Sequence, residues 1–242
     1  MLKLVTLFAA TLFASVSMAD DHMSQELEST VFGSSTALVV SNPTAVVAAM
    51  NAFRASDSGK NFPGNVLLNQ IVADGTNAAT HAINVFYPSA AAMDMVQSAP
   101  PSAAGMQMLS TLQASADPTE RFVFRMQRGR GLASEPGNLT LIIGLEVTDG
   151  AAFLKAFDKL WNSAAMKDFP GGTYFGDFMA DGDAPATHWV SFVAKDMASL
   201  SAGMDAVQGS KAMAAYLQDA NAFRKVTRNT IYRTVLAFRA DQ

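Results

Sequence analysis

The chain has 242 residues, half of them apolar, and a formal net charge of −4 from 17 Lys+Arg against 21 Asp+Glu. Such a balance lacks the basic face that a nucleic-acid partner requires and has no attraction to an anionic membrane surface. With no cysteine, disulfides, thiolate nucleophiles and cysteine-based metal sites are excluded, so a chain long enough to bury a large core must be held by packing.

The first 19 residues, MLKLVTLFAATLFASVSMA, have the pattern of a secretory signal peptide. Lys3 supplies the positive end, and residues 4–16 form an apolar stretch too short to span a bilayer. The small residues around Ala19 predict cleavage after it. The product expected is an exported protein, periplasmic or extracellular, with no membrane attachment. Losing Lys3 takes its net charge from −4 to −5. Its new terminus would read Asp20-Asp21-His22. A free amine, two backbone amides and an imidazole in third place can bind Cu(II) or Ni(II) in a square plane, which makes His22 the metal-ligand candidate. Residues 20–35 read as an N-terminal tail.

From there the elements come in two matching sets. Residues 36–41 are apolar and β-branched and predict a strand. Asn42-Pro43 supplies a helix N-cap and a first helical residue, and Val46, Met50 and Phe53 recur at helical spacing. The loop Phe62-Pro63-Gly64 ends that region. Residues 66–73 predict a strand, Asp74-Gly75 a turn in which Asp bonds its own backbone and Gly takes positive φ, and residues 79–87 the partner strand. A helical region broken at Pro100-Pro101 follows, then a closing strand over 121–128. Residues 129–138, GRGLASEPGN, are rich in turn formers and read as a linker.

The order then repeats. Residues 139–147 predict a strand, Asp149-Gly150 an N-cap, and Phe153, Phe157 and Leu160 a helix face. Phe169-Pro170-Gly171, a strand over 173–180, Asp181-Gly182, a strand over 186–194, a helical region broken near Gly209 and a strand over 230–238 complete the set. The repetition is literal in one stretch. Residues 60–81 align without gaps on residues 167–188 at an offset of 107, with ten of 22 positions identical. The matches include Ala73-Asp74-Gly75 with Ala180-Asp181-Gly182 and Ala79-Thr80-His81 with Ala186-Thr187-His188. Further on the offset slips by one, so that Phe124-Arg125 lies over Tyr232-Arg233. A period this long marks two small domains of similar fold, 36–128 and 139–239.

Each set reads βαββαβ, the split ferredoxin-like unit, with strand order 4-1-3-2 and helices on one face. The fold class expected is therefore α+β: two tandem ferredoxin-like repeats whose open sheet faces cover each other. In element order and duplication, residues 36–239 resemble the dimeric α/β-barrel superfamily. That group includes the stress-responsive A/B-barrel proteins, the antibiotic-biosynthesis monooxygenases and, as tandem copies, the chlorite dismutase relatives. The resemblance implies the fold and, as activities, cofactor-free oxygenation or isomerisation and heme binding; small-molecule binding is expected from the duplicated polar-on-apolar strand face. A structural or oligomerising module, possible as a homo-oligomer, is a further class.

Candidate residues follow from strand alternation. His81 shares a face with Ile83 and Val85, and His188 with Val190 and Phe192, which places both under the helices. Either histidine serves as a hydrogen-bonded structural group, or one acts as a general base or as a heme or metal ligand. Gln70, Asn84, Arg125, Asp177, Ser191 and Arg233 are polar positions among strand apolars, and the more polar sheet face they mark suits a ligand pocket; a small molecule, apolar or carboxylated, is expected to bind between sheet and helices. Arg125 and Arg233 could grip a carboxylate bidentately. The alternative is an ion pair across the junction of the repeats, such as Arg233 with Asp177. Trp189 and Tyr232, with Phe175, would line an apolar space. No cofactor is called for; the alternative is heme. The chain contains no GxSxG, HExxH or P-loop.

Overall fold

The computed structural model describes residues 30–181 and 184–240. The predicted leader, its cleavage site, His22 and Gly182 lie outside the described residues. The first repeat comprises β1 (Val31–Val40), α1 (Pro43–Ala55), α2 (Asp57–Lys60), β2 (Asn65–Ala73), β3 (His81–Tyr87), α3 (Ala90–Ser98), α4 (Ala103–Ser115) and β4 (Ala116–Arg130). The second comprises β5 (Leu139–Val147), α5 (Gly150–Trp161), α6 (Ala164–Lys167), β6 (Gly172–Ala180), β7 (His188–Ala194), α7 (Met197–Gln208), α8 (Lys211–Ala220) and β8 (Arg224–Phe238).

Local chemistry sets the starts of the helices. Asn42 accepts from the Ala45 amide and Asp149 from the Ala152 amide, the expected N-caps of α1 and α5. Each of these two helices is followed by a one-turn helix, α2 or α6, capped by Ser56 or Ser163. β1 begins five residues before the expected strand, because residues 31–35 find partners in both β3 and β4.

All strands pair antiparallel in one closed barrel, in the order β1-β3-β2-β8-β5-β7-β6-β4. Each repeat keeps the 4-1-3-2 order, and the two sheets join edge to edge where β2 meets β8 and β4 meets β6. Closure removes every exposed edge, and both junctions contain bulges that relieve the register. The tandem α+β architecture is thus a single eight-stranded barrel.

The helices cover the outer face unequally. Under α5, α7 and α8 lies a dense cluster that includes Phe153, Phe157, Phe175, Trp161 and Tyr216. Under α1 and α4 the fully buried set is only Val46, Met50 and Leu68. Burial of each such side chain stabilises the fold by about 1.5–3 kcal/mol, so the second repeat carries more of the core.

Candidate functional site

Two kinds of strand residue face inward, large aromatics and small residues that make room for them. Gly33 lies opposite Phe124 in the β1–β4 register and Gly176 opposite Trp189 in the β6–β7 register. A Cβ on Gly33 would stand 2.2 Å from Cζ of Phe124, and one on Gly176 would stand 2.6 Å from Cζ2 of Trp189. These rings therefore lie flat over bare backbone, and the barrel interior is left partly empty.

The space is a cavity of about 450 Å³. Its apolar wall includes Leu67, Phe86, Phe122, Phe124, Phe178 and Trp189, and its polar positions include Asn69, Asn84, Thr140, Ser191, Thr230 and Tyr232. The repeats contribute differently. Asn69 and Ala82 occupy the positions that Gly176 and Trp189 occupy in the second repeat, so one side offers an amide and the other an indole. Trp189 is 6% exposed, and its Nε1–H has no hydrogen-bond partner. Thr227 Oγ1, also on the wall, is likewise unpartnered. Burial pushes the phenols of both wall tyrosines up, Tyr174 to about 12, so both stay neutral.

Of the residues singled out in the sequence, Asn84, Trp189, Ser191 and Tyr232 line this cavity. Gln70, Arg125, Asp177 and Arg233 do not. They alternate with wall residues and lie on the outer face of strands at the two repeat junctions. Arg125 spans to Asp177, its Nε 3.0 Å from Oδ2, and Gln127 donates to the same carboxylate. Arg233 is exposed and donates to the Gly137 carbonyl. The expected ion pair across the junction therefore exists, but its cation is Arg125. Gln70 is exposed at the end of β2's paired stretch. Phe175 belongs to the cluster under the helices. The space between sheet and helices, where a ligand was expected, is filled in the second repeat, and the cavity lies on the opposite side of the sheet.

The histidines stand under the helices, as alternation requires. In both copies the ring Nδ1 lies 2.9 Å from the hydroxyl of the preceding threonine, Thr80 or Thr187. That hydroxyl also accepts the amide of Val40 or Val147 on the adjacent strand. The His188 ring stacks on Phe175 at 5.9 Å and packs against Phe153 at 5.2 Å. Burial pulls both imidazoles below their ordinary pKa, with Asp177 opposing the shift at His188. Neither ring lines the cavity.

One part of the site had no separate signal in the sequence. Asp74 does not cap its own turn. Its buried carboxylate receives Nε of Arg228 at 2.6 Å and the Thr230 hydroxyl at 2.7 Å, and it pairs with Nη2 of Arg228. Arg228 also reaches Glu120, 2.7 Å away. Gly75 does adopt the expected positive φ, +58°. Asp181, the counterpart of Asp74, lines the cavity beside this group. Burial, then the Glu120 charge, pushes its carboxyl up to about 6 against a smaller pull from Arg228.

No protein-family model and no curated protein sequence matches the chain. Solved structures do. An anthrone oxidase-like protein superposes with a TM-score of 0.60 at 10% identity, over 90% of this chain and 98% of its own. A candidate monooxygenase from Lactobacillus acidophilus gives 0.56 at 15% identity, over 88% and 100%. A heme-binding protein from Thermus thermophilus gives 0.53 at 9%, over 88% and 94%. The chain has the dimeric α/β-barrel fold. In this barrel both halves come from one polypeptide.

The wall of this cavity does not fit a heme. Heme iron is held by His, Cys, Met or Tyr. Among the described residues the cavity wall offers neither His nor Cys, and its methionine, Met126, is a ligand type that works beside a histidine the wall lacks. The hydroxyl of Tyr174 donates to the Leu132 carbonyl, and both wall tyrosines resist the ionisation that a tyrosinate ligand needs. His81 and His188 face the helices, where the second repeat is packed with aromatic rings.

Proposed function

We propose that the chain is an exported protein that binds a small, largely apolar molecule inside its barrel. The observation that carries this reading is the cavity of about 450 Å³ inside the barrel, walled by apolar side chains with a few polar positions among them. Cavity size, apolar walls and a few convergent polar groups are the usual marks of a ligand site.

A reaction in the same cavity is the second reading, and the likeness to an anthrone oxidase-like barrel supports it. Its base would be Asp181, since the histidines lie on the other face. The neutral dye N-phenyl-1-naphthylamine tests both readings at the binding step. One dye per protein should bind with enhanced emission, and Ser191→Phe, which fills the cavity, should abolish it while circular dichroism stays unchanged. A wild-type protein that leaves the dye in water removes the cavity reading. Export is tested separately: the secreted protein should begin at Asp20.

A further inference from the structure

The two ends of the duplication have diverged at one point of the cavity. Asp74 and Asp181 are equivalent, and so are Glu120 and Arg228, which pair with the equivalent residues Ala37 and Gly144. Thr230 has Phe122 as its counterpart. At the β2–β8 junction the carboxylate of Asp74 therefore meets an arginine and a hydroxyl. At the β6–β4 junction the carboxylate of Asp181 meets a second carboxylate and a phenyl ring. Arg228 does not make up the deficit, because Asp74 and Glu120 already take its Nε, Nη1 and Nη2. Asn77 takes the other oxygen of Glu120. Among the described residues Asp181 has no side-chain hydrogen-bond partner, and it faces the cavity.

The charged groups acting on it are Glu120 on β4 and Arg228 on β8; the same two, with Asp74 just past β2, surround the Tyr232 phenol. Three carboxylates stand against one guanidinium, and the phenol is neutral. A ligand anion would add to that excess. A cation would relieve it in a cavity whose wall also includes the aromatic rings of Phe122 and Phe178. Phe122 and Phe178 meet edge to face, 5.5 Å apart. Trp189, only 6% exposed, lines the same cavity and gives it an aromatic wall.

We propose that the cavity takes a basic amphipathic molecule, an amine on an apolar ring body, with the ammonium group against Asp181 and the rings between Phe122, Phe178 and Trp189. This rests on the reading of the cavity as a binding site. It reverses the expectation of a carboxylated ligand: the arginines thought to grip a carboxylate face outward, and Arg239, on the wall, is held by Glu135 and the Ser134 carbonyl.

Three probes of one shape separate the outcomes: 1-naphthylmethylamine, 1-naphthylmethanol and 1-naphthoate, each titrated by calorimetry at pH 7.5. The amine should bind at least about tenfold more tightly than the carboxylate, a difference of about 1.4 kcal/mol. Asp181→Asn should bring the amine down to the alcohol and leave the alcohol within about twofold. In the wild type the same advantage should fade as Asp181 takes up a proton between pH 7.5 and 5, a second readout that needs no variant. If the alcohol binds but the amine gains nothing over it, or keeps its gain in Asp181→Asn and at pH 5, the amine proposal is overturned and the cavity reading stands. If none of the three binds, both fall together.

Discussion

Asp74 of the first repeat and Arg228 of the second form an ion pair that locks the β2–β8 junction at one end of the barrel. The pair is unequal: the Asp74 side chain is 1% exposed and that of Arg228 is 37% exposed. Removing the cation leaves a carboxylate buried with only the Thr230 hydroxyl, a loss of about 3–5 kcal/mol. Removing the anion leaves an arginine that is partly solvated and still paired with Glu120. Arg228→Met should therefore cost clearly more than Asp74→Asn in urea denaturation. Equal costs would contradict this picture of the junction.

Asp181 should carry the opposite sign. Its carboxyl rises from an ordinary 3.8 to about 6 on folding. The folded state thus holds a proton that the unfolded chain has released between those values, and stability falls as pH rises through that window. Asp181→Asn should be more stable than the wild type at pH 7.5, by on the order of 1 kcal/mol after discounting for solvent screening. The gap should narrow as pH falls below 6. A variant less stable than the wild type at pH 7.5 would show that the carboxylate is satisfied.

Gly176 can be tested as the seat of the indole. A Cβ there would meet the Arg125 carbonyl oxygen at 1.9 Å as well as the Trp189 ring. Gly176→Ala should cost about 1–3 kcal/mol by overpacking and should weaken ligand binding as the ring is displaced. Full affinity for N-phenyl-1-naphthylamine in this variant would separate Trp189 from the site.

The histidines should matter to folding alone. His188→Ala removes the Thr187 hydrogen bond and two ring contacts, so a loss of about 1–3 kcal/mol is expected, with dye affinity unchanged. Because burial lowers the pKa of both imidazoles, the unfolded chain takes up their protons first on acidification. Their contribution is complete above the ordinary imidazole value of 6.5 and is lost as pH falls below it. Thermal unfolding from pH 7.5 to 5.5 should show a smaller acid loss in the double His81→Asn, His188→Asn variant.

The barrel was legible because the duplication is written in the chain. The offset that aligns Asp74 with Asp181 also aligns β2 with β6 and β3 with β7, and it gives the 4-1-3-2 order twice. Alternation along β3 and β7 correctly set Asn84, Trp189 and Ser191 opposite the histidines. The same logic failed for Gln70, Arg125, Asp177 and Arg233, which were grouped by polarity instead of by parity with their strand neighbours. At the junction strands the outer face emerges from under the helices, so polarity there marks water and a cross-junction ion pair. The role of Asp74 was hidden because its partner lies 154 residues away on β8. What could have exposed it is the substitution of Arg228 for Glu120 at equivalent positions, visible once the slipped offset is followed.

The central claim is that the barrel interior is the binding site. A crystal structure of the wild-type protein soaked with 1-naphthylmethylamine tests it most directly. The naphthalene should lie within the cavity, beside Trp189, with the amine at Asp181. Density for the probe only on the outer face of the barrel, with the interior filled by side chains, would contradict it.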